Sequence, residues 1–254
     1  MRNSLFIAAR ELRSLFLSPL AWSILGVVQF IHGYLYMGRL EGFLEIQARL
    51  NLVDNPPGLT EIVAVPVFAT ASIVLLLVTP LLSMRLISEE RRNRSLSLLF
   101  SAPLSMTEII LGKYLGLLGF MSIMSLMLLL MPLSLLGSAN LDLGLLFSAW
   151  LAVWLLSAAF SAAGLFMSTL TQYPTVAAVG SFGLLLLLWI VDWAGASVSE
   201  DGGPNLLAYV SILNHYNSLL RGVLNSTDIA YYLLFIATFL ILSIRRLDAD
   251  RLQG

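Results

Sequence analysis

The chain has 254 residues, 58% of them hydrophobic and 11% charged, with mean hydropathy +0.88 and a formal net charge of −1. A soluble domain carries about a quarter charged residues, so this chain cannot cover its apolar mass with polar surface and is solvated by lipid. No basic cluster with interleaved aromatics offers itself to nucleic acid. The absence of cysteine excludes disulfides, thiol catalysis and thiolate metal sites, and His32 and His215 alone speak against a histidine-rich metal centre.

Arg2, Arg10 and Arg13 precede the first apolar run, but no small-x-small site follows it, so it is expected to be a retained span. Within residues 1–17, Leu5, Ala9, Leu12 and Phe16 recur at helical spacing, with Arg10, Glu11 and Arg13 mostly off that stripe. This predicts an amphipathic helix on the inner membrane surface. Ser18-Pro19 then supplies a cap and a first-turn proline for the next helix.

Charge-free intervals mark the spans. Residues 14–38, 62–84 and 114–141 give the first three. The interval 143–191 is too long for one helix, since about 20 residues cross the hydrocarbon core, and Gln172-Tyr173-Pro174 divides it into spans four and five. Residues 229–244 give a short sixth span, whose flanks must snorkel or whose bilayer must thin. Trp22, Trp189 and Trp193 fall near span ends, as interfacial tryptophans do.

An even number of spans puts both termini on one side. That side carries Arg2, Arg10, Arg13, Arg85, Arg91, Arg92, Arg94, Lys113, Arg245, Arg246 and Arg251; the other carries Arg39, Arg49 and Arg221. The asymmetry predicts cytoplasmic termini. On the outer side, residues 39–61 are expected to form a polar loop with a turn at Asn55-Pro56-Pro57-Gly58. Residues 195–228 are too polar to span. After the loop at Glu200–Pro204, Leu206, Val210, Leu213, Leu220 and Leu224 share a helical face that Asn217 interrupts, which predicts one or two short external helices.

The stretch 84–113 holds eight of the 29 charged residues, and apolar runs of bilayer length flank it. Residues 88–100 are predicted to form a short cytosolic helix, charged in its first half and apolar in its second (Leu96, Leu98, Leu99, Phe100). Pro103 ends it, and Ser105-Met-Thr-Glu108 is a capping box that starts a helix running into span three. A solvated loop that only sets topology would carry the same charge. The exposed apolar half, however, calls for a partner or the membrane.

Glu89-Glu-Arg-Arg92, Leu98-Leu-Phe-Ser-Ala-Pro-Leu104 and Glu108-Ile-Ile-Leu-Gly-Lys113 together resemble the coupling-helix region of type 2 ABC export permeases, most nearly the gliding-motility-type branch. Ala9–Ala21, Leu213–Gly222 and Asp228-Ile-Ala-Tyr-Tyr232 are similar to that branch too, so the resemblance covers most of the chain. It implies an all-α permease of six transmembrane helices that works as a dimer, with a second copy or a paralogue. It implies a cytosolic link, residues 86–112, docked in a cleft of a separate ABC ATPase subunit, and short helices near the exit before span six. Arg94 and Ser97 depart from the glycine and the acid often found there.

No Gly-x-x-x-x-Gly-Lys-Ser/Thr occurs, so by that route ATP and Mg are expected in the partner, and no cofactor or catalytic residue is expected here. The spans carry almost no ionisable group, unlike ion-coupled carriers. Asp192 reads as an interfacial boundary residue and His32 as a packed or hydrogen-bonded side chain. Ser161 has no histidine at matching depth for an intramembrane protease. The four-residue spacings Ser157/Ser161, Ala158/Ala162 and Gly112/Gly116 read as packing seams.

The expectation is one membrane domain over 1–254 serving as the permease of an ATP-driven exporter. The expected ATPase contacts are Glu89, Glu90, Arg91, Arg92, Leu96, Leu98 and Leu99. Leu213, His215, Tyr216, Asn217 and Arg221 are expected to shape the outer exit. The competing reading is a mechanical transducer that moves its external helices against a periplasmic accessory protein while nothing crosses; an ATP-independent scaffold is a third.

Overall fold

The computed structural model describes residues 2–50, 56–96, 104–137, 139–198 and 211–253. All regular structure among the described residues is helical, and six helices are long and apolar enough to cross a membrane.

Helix α1 covers Arg2–Leu17 and α2 covers Pro19–Leu50. They meet at Ser18, as its cap-and-proline pattern predicts. The Ser18 N–H still reaches the Leu15 carbonyl at 3.0 Å, and its own carbonyl takes the Ala21 N–H at 3.2 Å. Helix α1 packs along a later helix where Gly112, Gly116 and Gly119 leave a groove. A Cβ at Gly112 would stand 2.6 Å from the Ile7 Cβ, and one at Gly116 would stand 2.6 Å from that of Glu11. The groove therefore takes the face of Ser4, Ile7, Ala8, Glu11 and Leu12. The expected stripe is corrected: Leu12 and Phe16 pack, whereas Leu5 and Ala9 are exposed. Close backbone approach selected the face with room for it, not the most apolar one.

Helix α2 has 32 residues, about 48 Å at the α-helical rise, against a hydrocarbon core of about 30 Å. Residues 39–50, expected as loop, are thus helical. Arg39 ends the apolar interval but not the helix, because Leu40 and Phe43 still pack on a cluster of Tyr36, Leu59, Val63 and Val67. Pro56, Pro57 and Gly58 are non-helical, as expected.

A single π-helical turn, Thr60–Ala64, leads into α3, Val65–Ser83, and α4, Arg85–Arg92. Pro80 lies inside α3 and offers no N–H to the preceding turn. Helix α5, Met106–Leu133, opens with the predicted capping box: Ser105 Oγ accepts the Glu108 N–H, and the Glu108 carboxylate accepts the Ser105 N–H, both at 3.2 Å.

Helix α6, Leu143–Leu170, is capped by Asp142, which takes the Leu145 N–H at 3.0 Å. It is the axis of the bundle and touches α3, α5 and α7 along its small face of Ser157, Ala158, Ser161, Ala162 and Gly164, all buried. A Cβ at Gly164 would lie 2.3 Å from Ser83 Oγ, so the glycine is what lets α3 come in.

Gln172-Tyr173 breaks the chain before α7, Pro174–Val198, as predicted. Helix α8, Ile212–Leu220, is the short helix before the last span, and α9 covers Ser226–Gln253. Leu224 lies beyond α8 and is exposed, so it does not share the apolar face expected of it; Leu206 and Val210 lie outside the described residues. The sixth span is apolar only over 229–244, yet its helix has 28 residues. Its charged flanks continue the helix because they find partners within the bundle.

Candidate functional site

Helix α4 is too short to span a bilayer and too charged to lie in one. It continues α3 out of the bundle at the end that also gathers Arg10, Lys113, Arg246 and Asp250. At this basic end, four neighbouring helices hold it.

Two of them meet at Lys113, on α5, whose side chain is 1% exposed. Its Nζ lies 2.7 Å from Glu90 Oε1 on α4 and 2.9 Å from Glu11 Oε1 on α1. Arg10 adds a 3.0 Å pair to Glu11 and a longer one, 3.6 Å, to Glu90. Burial pushes the Glu11 carboxyl up, but the charge and hydrogen bond of Lys113, helped by Arg10, outweigh it, so Glu11 titrates below the ordinary carboxylate value. A buried ammonium is tolerable here because two carboxylates share it.

The other two helices reach α4 through Arg91 and Ser168. Arg91 donates to the Thr169 carbonyl of α6 at 2.8 Å and pairs with Asp250 of α9, which also meets Arg246 at 3.5 Å. Ser168 Oγ accepts the N–H groups of Ile87 and Ser88, each at 3.1 Å, and donates to the Met84 carbonyl at 3.0 Å. The step between α3 and α4 is thereby stapled to α6 by one hydroxyl, a side chain inserted where the backbone ladder is broken.

Helix α4 then stops in a Schellman turn. The Ser95 N–H reaches the Glu90 carbonyl at 3.0 Å and the Arg94 N–H reaches that of Arg91 at 3.2 Å. Arg94 takes φ 55° there, a left-handed conformation that usually falls to glycine. The continuous helix expected over 88–100 is thus interrupted at 93–95. Leu96 turns back into the main core, and residues 97–103 lie outside the described residues.

The opposite end carries α8. Ser211 caps it by accepting the Asn214 N–H at 3.1 Å, and Gly222, φ 82°, ends it in the same Schellman geometry. Several neighbours tie it down, among them Ser148 of α6, whose Oγ donates to the Leu219 carbonyl at 2.6 Å. Tyr216 Oη donates to the Phe68 carbonyl of α3, and Tyr232 Oη of α9 donates to the Ile212 carbonyl at 2.9 Å. His215 Nδ1 lies 2.6 Å from Asp228 Oδ1 of α9, with the imidazole stacked on Tyr231 at 4.2 Å.

Against known proteins, the profile of the family described as "ABC-2 family transporter protein" matches residues 5–252. The chain belongs to the ABC-2 transporter family. No curated protein matches it. An ABC-2 chain is the multi-pass permease subunit of an ABC transporter, a membrane component whose family implies a bilayer and an ABC ATPase partner.

In this ABC-2 permease the sequence-predicted residues divide by where their side chains go. Glu89 and Arg92 are exposed on α4. Glu90 and Arg91 are engaged within the chain, and Leu96 is buried. Leu98 and Leu99 lie outside the described residues. At the opposite end Leu213, His215 and Tyr216 are buried, whereas Asn217 and Arg221 are exposed. Arg221 lines an open cleft with Glu61 and Asp142. His32 is buried with Nδ1 2.8 Å from the Val28 carbonyl, a packed residue as expected.

Residue-by-residue reading passed over Glu11, Ser168, Asp228 and Asp250. A lone lysine about two turns into an apolar helix is a signal that carboxylates must come to meet it. Nothing in the spacing said which ones.

Proposed function

We propose that this permease belongs to an exporter whose ATPase subunit grips the link at the basic end, over residues 86–112, and drives the bundle through α4. The observation that carries this reading is the four-sided attachment of α4: to α1 and α5 through Lys113, to α6 through Ser168 and Thr169, and to α9 through Asp250. A topogenic loop needs no such bracing. A load-bearing joint does, because force on α4 must reach several spans before the short helix can swing free.

The roles divide accordingly. Arg92, which points outward, and Leu98 and Leu99 beyond the Schellman turn, make the contact with the ATPase, and Glu89 borders it on the side of the α1–α2 elbow. Glu90, Arg91 and Leu96 transmit the load. The partner subunit binds ATP and Mg. The basic end faces the cytoplasm of a bacterial inner membrane, with both termini there, and residues 1–17 rest against that surface. The whole chain, 1–254, acts as one domain, paired with a second copy or a paralogue, and the region 195–228 with Leu213, His215, Tyr216, Asn217 and Arg221 borders the outer exit. Within the family, the pattern of residues resembles that of the gliding-motility-type permeases.

A transducing role has its own support. Helix α3 carries α4 at one end and receives Tyr216 on the Phe68 carbonyl at the other. From Phe68 to Met84 it is a rod of about 24 Å, so a pull on the link arrives at α8. A periplasmic accessory protein acting on α8 would then take up the motion. Substrate-stimulated ATP hydrolysis in liposomes supports export; stimulation by an external protein alone supports transduction.

The docking claim is tested by co-purification. Arg92→Glu combined with Leu98→Asp and Leu99→Asp should abolish recovery of the ATPase subunit while leaving the permease folded. Undiminished recovery would remove the link from the interface.

A further inference from the structure

A cleft of about 490 Å³ opens at the basic end between the α1–α2 elbow and the α3–α4 rod, within the range of about 300–1,000 Å³ typical of small-molecule sites. Its two walls differ in chemistry along their length. Leu15, Leu20, Leu81 and Leu82 make the inner part apolar, and Leu81 is 42% exposed, so that surface runs on into the lipid-facing side of the bundle. The outer part is charged.

The charges sort into two groups. Arg10, Glu11, Glu90 and Lys113 neutralise one another in the node described above. The side chains of Arg85 and Glu89, one turn apart on α4 and both exposed, have no ion-pair or hydrogen-bond partner among the described residues. What remains at the mouth is one guanidinium and one carboxylate over an apolar floor. The complementary molecule is an amphiphile whose head carries a phosphate for Arg85 and a primary ammonium for Glu89, at the depth where a bilayer keeps its headgroups.

We propose that the cleft holds one phosphatidylethanolamine of the adjoining leaflet, its phosphate on Arg85, its ammonium on Glu89 and an acyl chain along Leu81. A phosphatidylglycerol would leave Glu89 unmatched against a second negative charge. A choline head would cover the carboxylate but donate no hydrogen bond to it. A soluble phosphate ester would leave the leucines uncovered. The bound lipid wedges the elbow of α1 against α4, so leaflet composition bears directly on the joint. The assignment needs only the membrane placement of the bundle and is independent of what the permease moves.

Native mass spectrometry of the purified chain tests this, in micelles doped with equal amounts of phosphatidylethanolamine, phosphatidylglycerol and phosphatidylcholine. Wild type should retain one phosphatidylethanolamine about tenfold over either competitor. Glu89→Gln should erase the preference over phosphatidylcholine, Arg85→Gln should weaken retention of all three, and Arg85→Lys should restore most of it. Both side chains are exposed, so helical circular dichroism and the thermal midpoint should match wild type and show that the fold is intact. Equal retention of the three lipids by wild type, or wild-type selectivity in Glu89→Gln, would overturn the proposal. So would displacement by millimolar glycerophosphoethanolamine, which would mean that the site takes a free head and not a membrane lipid.

Discussion

Lys113 is the most deeply buried charge among the described residues. Removing its ammonium leaves Glu11 and Glu90, both mostly buried, with Arg10 alone. Lys113→Met should therefore destabilise the bundle by about 3 kcal/mol, read as a drop in thermal midpoint in detergent, and adding Glu11→Gln and Glu90→Gln should recover much of the loss. The same node fixes a pH dependence. The folded-state value of Glu11 lies below that of an ordinary glutamate. Its contribution is thus fully present above that value and is lost as the pH falls through the lower, folded one. The spin-label distance between α1 and α5 should hold from neutrality to about pH 5 and lengthen only below the ordinary carboxylate range; Glu11→Gln should blunt that transition. At Arg94 the backbone conformation sets a constraint of its own. Two Schellman turns end α4 and α8, one with Arg94 at the left-handed position and one with Gly222. Arg94→Gly should be more stable than Arg94→Ala by about 1 kcal/mol, measured by the same melting, and Arg94→Val should be the least stable of the three.

Elements were legible in the sequence where a local rule decides them. The cap at Ser105, the Ser18-Pro19 start and the Tyr173-Pro174 break all lie where their own chemistry puts them. Elements were illegible where a neighbour decides. Helix α2 outruns its apolar interval because Leu40 and Phe43 find a cluster from other segments, and α1 turns to α5 the face that fits a glycine groove. The expected helix over 88–100 failed at Arg94, since no local rule places arginine in a left-handed turn. Gly164 controls the contact on which α4 depends, because α3 must approach α6 closely for Ser168 to reach the Met84 step. Gly164→Ala should cost about 1–3 kcal/mol through overpacking against Ser83. Ser83→Gly, which removes the obstructing side chain, should restore most of it in a double-mutant cycle. Independent effects of the two changes would mean that the helices do not meet there.

At the scale of the molecule, one rod joins the two ends. Helices α4, α3 and α8 form a continuous line of contacts from Arg91 to Tyr216, and α6 braces it. Composition made the membrane placement legible, and charge distribution gave the expected sidedness. The path itself could not be read, because it runs through a serine hydroxyl, two carbonyl oxygens and Asp250, groups that any helix surface offers. The central claim is that the ATPase subunit grips the basic end. The chain has no cysteine, so a single one can be placed without background. The most direct test is photocrosslinking from Arg92→Cys in the assembled transporter, with Arg221→Cys as the counterpart at the other end. The account predicts a crosslink from position 92 to an ATP-binding chain, changing in yield with nucleotide, and none from position 221. An ATP-binding chain captured from position 221, or position 92 labelled only by reagents confined outside the cell, would contradict it.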